Sequence, residues 1–279
     1  MKRVLTNSRV LLTGASSGIG AALALELAKK SADILITARR ADRLEAIVEK
    51  IRMDFDVYSR EQGLRKIIAV PGDITDPAIR EKLVQTAQSE LGGIDLLINN
   101  AGAGATSLIE TTTEKTIRDM MELNYFALVH LTQLALPALK ESAKSEERKL
   151  LKIRPMVVNL SSIVGLRGVP HYGAYGAAKF AVSGISEAMR AEFYSHGIDV
   201  LLVCPGTTAT EFFDVLHQSS SAPDMPVHHA VTSEYVARRI VQAMRQGKHK
   251  IIPYFQAVIL DYMNRYAPRF TDWIMTKFV

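Results

Sequence analysis

One cysteine in 279 residues excludes an intramolecular disulfide framework. Cys204 lies in the apolar run 198–204, where the ordinary use of the residue is as a small buried hydrophobe, and so low a thiol content suits a reducing compartment. A cytoplasmic protein is expected. Residues 1–8, ahead of the first apolar run, leave no room for a signal-peptide hydrophobic region. Long apolar runs are missing too. Stretch 126–139 is interrupted by His130, Gln133 and Pro137, and stretch 251–260 by Pro253 and Gln256, so neither reads as a transmembrane segment. No Pro/Ser/Gly linker or internal repeat divides the chain, and the expectation is one domain over 1–279.

Excess charge of one sign is small: 34 Lys+Arg against 29 Asp+Glu gives +5, which calls for no nucleic-acid partner. Much of that excess sits in 140–154, where Lys and Arg alternate with Glu141, Glu146 and Glu147 as in a solvated face or loop. Zinc-ligand spacing is missing, since His228 and His229 are adjacent in a polar loop, the other histidines are scattered and the cysteine is solitary. No metal is expected. A GxSxG elbow is missing as well, which argues against serine hydrolysis.

What is present is an alternation. Apolar runs at 9–13, 33–38, 66–70, 94–98, 156–160, 198–204 and, weakly, 250–252 are continuous rather than alternating, as in parallel strands covered on both faces. Helical patterns fall between them at 19–30, 41–53, 77–91, 114–140, 175–196 and 233–246, with 54–65 read as a polar connection. This predicts an α/β fold, a doubly wound parallel sheet of about seven strands with helices on both faces.

The turn after the first strand reads Gly14, Ala15, Ser16, Ser17, Gly18, Ile19, Gly20 and runs into a helix. Glycines allow a tight turn and close backbone approach to a pyrophosphate, and the helix N-terminus offers unpaired N–H groups. The spacing is GxxxGxG rather than the general GxGxxG. At the end of the second strand, where an acidic residue would favour a free ribose 2′-hydroxyl, stand Arg39 and Arg40. Guanidinium groups suit a 2′-phosphate, so NADP(H) is expected over NAD(H). The alternative is that one or both arginines decorate a helix start beside Asp42.

Together with Asp73 and Ile74 after strand three, Asn99 to Gly102 after strand four, Asn124, Ser162, the run Tyr175 to Lys179 and the segment Pro205 to Thr210, this turn resembles the classical short-chain dehydrogenase/reductase family. The match runs from Arg9 to about Thr210. The resemblance implies a Rossmann-type fold in which Asp73 and Ile74 contact adenine, Asn100, Ala101 and Gly102 line the cofactor floor, and Pro205, Gly206, Thr208 and Thr210 hold the nicotinamide amide.

Tyr175 and Lys179, four residues apart on one face of a helix, make a chemical pair. An ammonium about 5 Å from a phenol, at an effective dielectric of about 20, offers the phenolate roughly 3 kcal/mol, enough to lower the usual tyrosine pKa of about 10 by roughly two. Tyr172 has Gly176 four residues on and no such partner. Of Ser161 and Ser162, consecutive at a strand end, one at most faces a substrate, and the resemblance selects Ser162. By the same resemblance Asn124 holds a water that links Lys179 to solvent; read from its helix alone, it is a buried amide satisfying a distorted turn.

The expected activity is NADP(H)-dependent interconversion of a carbonyl and a secondary alcohol. A cofactor-sensing or interaction protein that retains the fold is the alternative. Phe212, Phe213, Val215 and Leu216, in the candidate substrate loop 207–232, favour a lipophilic ketone, steroid-like or acyl. The last stretch, 254–279, holds seven of the nineteen aromatics and carries Arg265, Arg269 and Lys277. Such a tail must pack on its own domain, a second subunit, a substrate channel or a membrane surface. A homo-oligomer acting on a small molecule is expected, with peripheral membrane contact through the tail as the open alternative.

Overall fold

The computed structural model describes residues 3–62, 66–209, 217–218 and 230–278, and at 55–62, 209, 217–218 and 278 the backbone only. Most of loop 207–232, including Thr210, Phe212, Phe213, Val215, Leu216, His228 and His229, lies outside the described residues.

The seven apolar runs form one parallel sheet: β1 (Arg9–Thr13), β2 (Asp33–Thr37), β3 (Ile67–Ala69), β4 (Leu96–Asn99), β5 (Met156–Leu160), β6 (Asp199–Val203) and β7 (Lys250–Ile251). Their order across the sheet is β7-β6-β5-β4-β1-β2-β3. Helices α1 (Gly18–Ala28), α2 (Ala41–Gln62), α3 (Pro77–Thr86), α4 (Glu114–Met121), α5 (Ala127–Lys144), α6 (Glu146–Leu150), α7 (Gly173–Tyr194) and α8 (Ser233–Gln246) connect them. Both faces of the sheet are covered, and neighbouring residues of one strand belong to opposite layers. Val10 and Leu12 pack in one layer with Ile34, Ile36 and the apolar side chains of α1 and α8. Leu11 packs in the other with Leu35, Leu97 and those of α3, α5 and α7. Each such side chain, fully buried, contributes about 1.5–3 kcal/mol.

Strand β1 is central, and the chain works outward to β3 before crossing back to β4, so β1 and β4 are adjacent with Val10 opposite Leu96 and Leu12 opposite Ile98. The loops leaving these two strands therefore meet at a reversal of strand order, where open α/β sheets place ligands.

Several boundaries differ from the sequence reading. The segment 54–62 continues α2 instead of forming a connection; neither Gly nor Pro occurs from Ala41 to Gln62, so nothing local breaks the helix. The segment read as one helix over 114–140 is two, joined by a π-helical turn, Glu122–Phe126, and α5 runs on to Lys144 with Pro137 inside it. Arg148, in the charged stretch expected to be solvated, turns inward to Asp95 at 3.5 Å and to the Asn7 carbonyl at 2.9 Å. Cys204 is fully buried, as a core hydrophobe should be.

Beyond β7 the tail folds into α9 (Phe255–Tyr266) and α10 (Pro268–Met275). It is fastened by Lys250 to Asp261 at 3.3 Å, and by Arg167 to Asn264 at 2.9 Å and to Asp272 at 2.5 Å.

Candidate active site

A cavity of about 580 Å³ lies at the carboxyl ends of the strands. The residues expected to bind a cofactor or react line it, with two exceptions: Asn124 stands behind the wall, and Thr210 is outside the described residues.

At one end is the glycine-rich turn. Gly14 has φ of +69°, and a Cβ there would sit 2.7 Å from the Ala101 Cα; one on Gly20 would sit 2.1 Å from the Gly14 carbonyl oxygen. These two glycines are thus required by backbone packing between the β1 and β4 loops, a role the pyrophosphate argument had not assigned them. Asn100 locks the same junction, its Nδ2 donating to the carbonyls of Thr13 and Gly14, both at 2.9 Å. The Thr13 hydroxyl accepts from the N–H groups of Asn100 and Ala101.

Arg40 reaches over this turn and donates to the Ser16 hydroxyl at 3.1 Å and the Ser17 hydroxyl at 2.8 Å. Arg39 is exposed beside it. The Asp73 carboxylate accepts from the backbone N–H and hydroxyl of Thr75. Buried Arg80, which sequence reasoning missed, fixes the turn by donating to the Ile74 carbonyl at 2.7 Å and to His130 Nδ1 at 2.9 Å.

At the other end stand the residues proposed to react. Helix α7 brings Tyr175 and Lys179 to the cavity, and β5 delivers the two serines to opposite uses. The Ser161 hydroxyl donates to the Lys179 carbonyl at 2.8 Å, whereas Ser162 faces the cavity and hydrogen-bonds Tyr175. Lys179 is only 4% exposed, its Nζ donating to the Leu160 carbonyl at 2.9 Å. Burial disfavours the charged forms of both residues, pulling the lysine down to about 8 and pushing the tyrosine above its ordinary value. For Tyr175 the Ser162 hydrogen bond opposes this rise and nearby Tyr172 adds to it. Tyr175 is therefore raised, not depressed as its spacing from Lys179 alone would have it, because desolvation is the larger effect here.

Asn124 lies in the π-helical turn, the kind of local distortion that often marks functional sites. Its Nδ2 donates to the Met120 and Ala103 carbonyls, while its Oδ1 is buried without a partner. Oδ1 and Lys179 Nζ both face Gly102, where an added Cβ would lie 2.6 and 3.3 Å from them.

Val169 before α7 and Ala257, Leu260 and Met275 of the tail, none of them singled out by the sequence, complete the walls together with Tyr172 and Tyr254. The Tyr254 ring lies over Gly206, so close that a Cβ on the glycine would be 2.4 Å from its Cδ1. The crowding of aromatics after Pro253 was the one signal for this.

Comparison with known proteins agrees with the geometry. The short chain dehydrogenase family model matches residues 8–220. An 11-beta-hydroxysteroid dehydrogenase A of Sesamum indicum is 28% identical, the match covering 95% of this chain and 73% of that protein. A short chain dehydrogenase/reductase of Burkholderia phymatum, solved with NAD, superimposes with a TM-score of 0.81 at 19% identity, covering 96% of each chain. A short chain dehydrogenase of Burkholderia cenocepacia, solved with NADP, gives 0.73 at 25% identity, over 90% of this chain and 97% of that one. With the strand order, the β1 turn and the family model in agreement over the same residues, this chain belongs to the short chain dehydrogenase family.

Proposed function

We propose that the protein is an NADP(H)-dependent oxidoreductase that interconverts a lipophilic ketone and its secondary alcohol. The observation that carries this reading is that one cavity has Tyr175, Ser162 and Lys179 at one end and Arg40 at the other.

A dinucleotide suits the residues at the Arg40 end. Helix α1 begins without a side-chain cap, and Ser17, Gly18 and Ile19 at its start line the cavity, so its first N–H groups are available to a phosphate. The Thr37 hydroxyl on the lining is buried without a partner. Arg40, with Arg39 beside it, would pair a 2′-phosphate, and Asp73 with Ile74 would meet the adenine. The two similar structures divide between NAD and NADP, so the choice rests on these arginines. Pro205, Gly206 and Thr208 stand at the nicotinamide end, and Thr210 belongs to the same proposed group.

When bound, the nicotinamide supplies hydride to the carbonyl carbon or accepts it in the reverse direction. Tyr175, protonated at neutral pH, gives the carbonyl oxygen its proton, and Ser162 orients that oxygen and stabilises its developing charge. Lys179 would hold the cofactor ribose and replenish the tyrosine proton, with the unpaired Asn124 Oδ1 placing a water on that route. Val169, Leu260 and Met275 make the substrate wall apolar, which favours a lipophilic substrate. An oligomer is supported by Ile117, Phe126 and Phe180, large apolar side chains left exposed.

The test is oxidation of NADPH and of NADH against ketones graded from sugar-like to steroid-like. Turnover of apolar ketones with NADPH is expected. Tight NADPH binding with no turnover of any ketone would favour a cofactor-sensing protein instead.

A further inference from the structure

Helix α9 departs from the usual surface helix, which turns one apolar stripe to the core and a polar face to water. Its inner side is already used: Ala257 is 4% exposed, Leu260 lines the cavity, and Asp261 and Asn264 are tied to Lys250 and Arg167. Its outer side carries a second apolar stripe, Phe255, Ile259, Tyr262 and Tyr266, at i, i+4, i+7 and i+11. The ends of this stripe are 74% and 75% exposed. Helix α10 adds exposed Phe270 and Trp273. The rings are paired rather than splayed, with Tyr262 stacked on Tyr266 at 6.2 Å and Phe270 on Trp273 at 5.7 Å between centroids. Exposed apolar surface of this extent, carried on two consecutive helices, marks a contact with something outside the chain.

Charge identifies the occupant. The tail has two acidic residues, Asp261 and Asp272, and a cation of the domain body neutralises each. Arg265 and Arg269 are exposed beside the stripe, and Lys277 lies over the Trp273 ring at 5.4 Å. The face is therefore aromatic with a cationic edge. A second copy docked face to face would bring two such edges together, and like charges oppose that association. Anionic headgroups would instead pair with the cations while the tyrosine and tryptophan rings occupy the boundary they favour. Among the described residues no helix is long and apolar enough to cross a membrane, so the contact is superficial.

We propose that α9 and α10 dock the protein on an anionic lipid surface. Trp273 is the only tryptophan in the chain and is an exposed member of this face, so its emission reports on it. With the full chain and vesicles of phosphatidylcholine containing phosphatidylglycerol, the protein should co-sediment. Its tryptophan emission should shift to the blue and be quenched by brominated acyl chains, and added salt should weaken all three responses. Pure phosphatidylcholine should bind much less. The pair Ile259→Ser with Tyr262→Ser should lower the affinity by about tenfold or more, and the pair Arg269→Glu with Lys277→Glu should abolish the preference for anionic vesicles. Far-UV circular dichroism checks that each variant is folded, and the charge pair leaves the apolar stripe untouched. An unshifted tryptophan with anionic vesicles, equal binding to both vesicle types, or binding that neither pair reduces would overturn the proposal. Self-association through these residues without vesicle binding would assign the face to a second copy and overturn it as well.

Discussion

The Lys179 ammonium stands 5.7 Å from the centroid of the Tyr175 ring, and both side chains are buried in the cavity wall. Burial acts on the two with opposite sign because it penalises charge: the lysine more readily becomes neutral and the tyrosine stays a phenol. At neutral pH the pair is therefore set with both protons in place, the arrangement that gives a proton to a carbonyl oxygen.

Tyr175→Phe removes the phenolic proton and little else. Ketone reduction should fall by at least about a hundredfold, while NADPH affinity, followed by fluorescence, stays near the wild-type value. Near-normal turnover would reject Tyr175 as the acid.

The pH profile follows from the lysine. Its proton is held below about 8 and released above it, so kcat/KM for reduction should fall as pH rises through that value. Lys179→Arg keeps the charge at all accessible pH and, where active, should move the falling limb to higher pH. A wild-type rate that holds up to about pH 10, close to the ordinary lysine value, would remove Lys179 from the proton path.

The two arginines should differ. Arg40 is fixed over the Ser16 and Ser17 hydroxyls, whereas Arg39 is exposed beside it. Arg40→Ala should raise the Kd for NADPH well above its effect on NADH and reduce the salt dependence of binding, because a charge-assisted pair is lost. Arg39→Ala should do the same more weakly. Equal losses for the two cofactors in Arg40→Ala would undo the 2′-phosphate assignment.

Those arginines, the seven strands and the Tyr175-Lys179 pair were legible because each depends on neighbours in sequence. A doubly covered strand is a continuous apolar run, and i, i+4 residues share a helix face. What stayed hidden depends on distance through space. No glycine or proline announces the π-helical turn at Glu122–Phe126 that interrupts a helix. Nothing near Gly14 in sequence announces Ala101 beneath it. Desolvation of Tyr175 arises from the packing of separate segments around it, so spacing along the helix carries no sign of it.

The last relationship of that kind joins Gly206 to the tail. A Cβ on Gly206 would lie 2.4 Å from Tyr254 Cδ1 and 3.0 Å from its Cγ, distances that no rotamer change at an alanine can relieve. Tyr254 immediately precedes α9, whose Ala257 and Leu260 help wall the cavity. In Gly206→Ala the ring must move and take the start of α9 with it, so KM for a bulky ketone should rise by about tenfold with a smaller change in NADPH affinity. Tyr254→Ala removes the obstacle. Combined with Gly206→Ala it should recover most of the lost kcat/KM, an interaction visible in a double-mutant cycle as non-additivity. If the two substitutions simply add, the harm done at Gly206 comes from the cofactor side of the segment, and the tail has no part in shaping the substrate site through Tyr254.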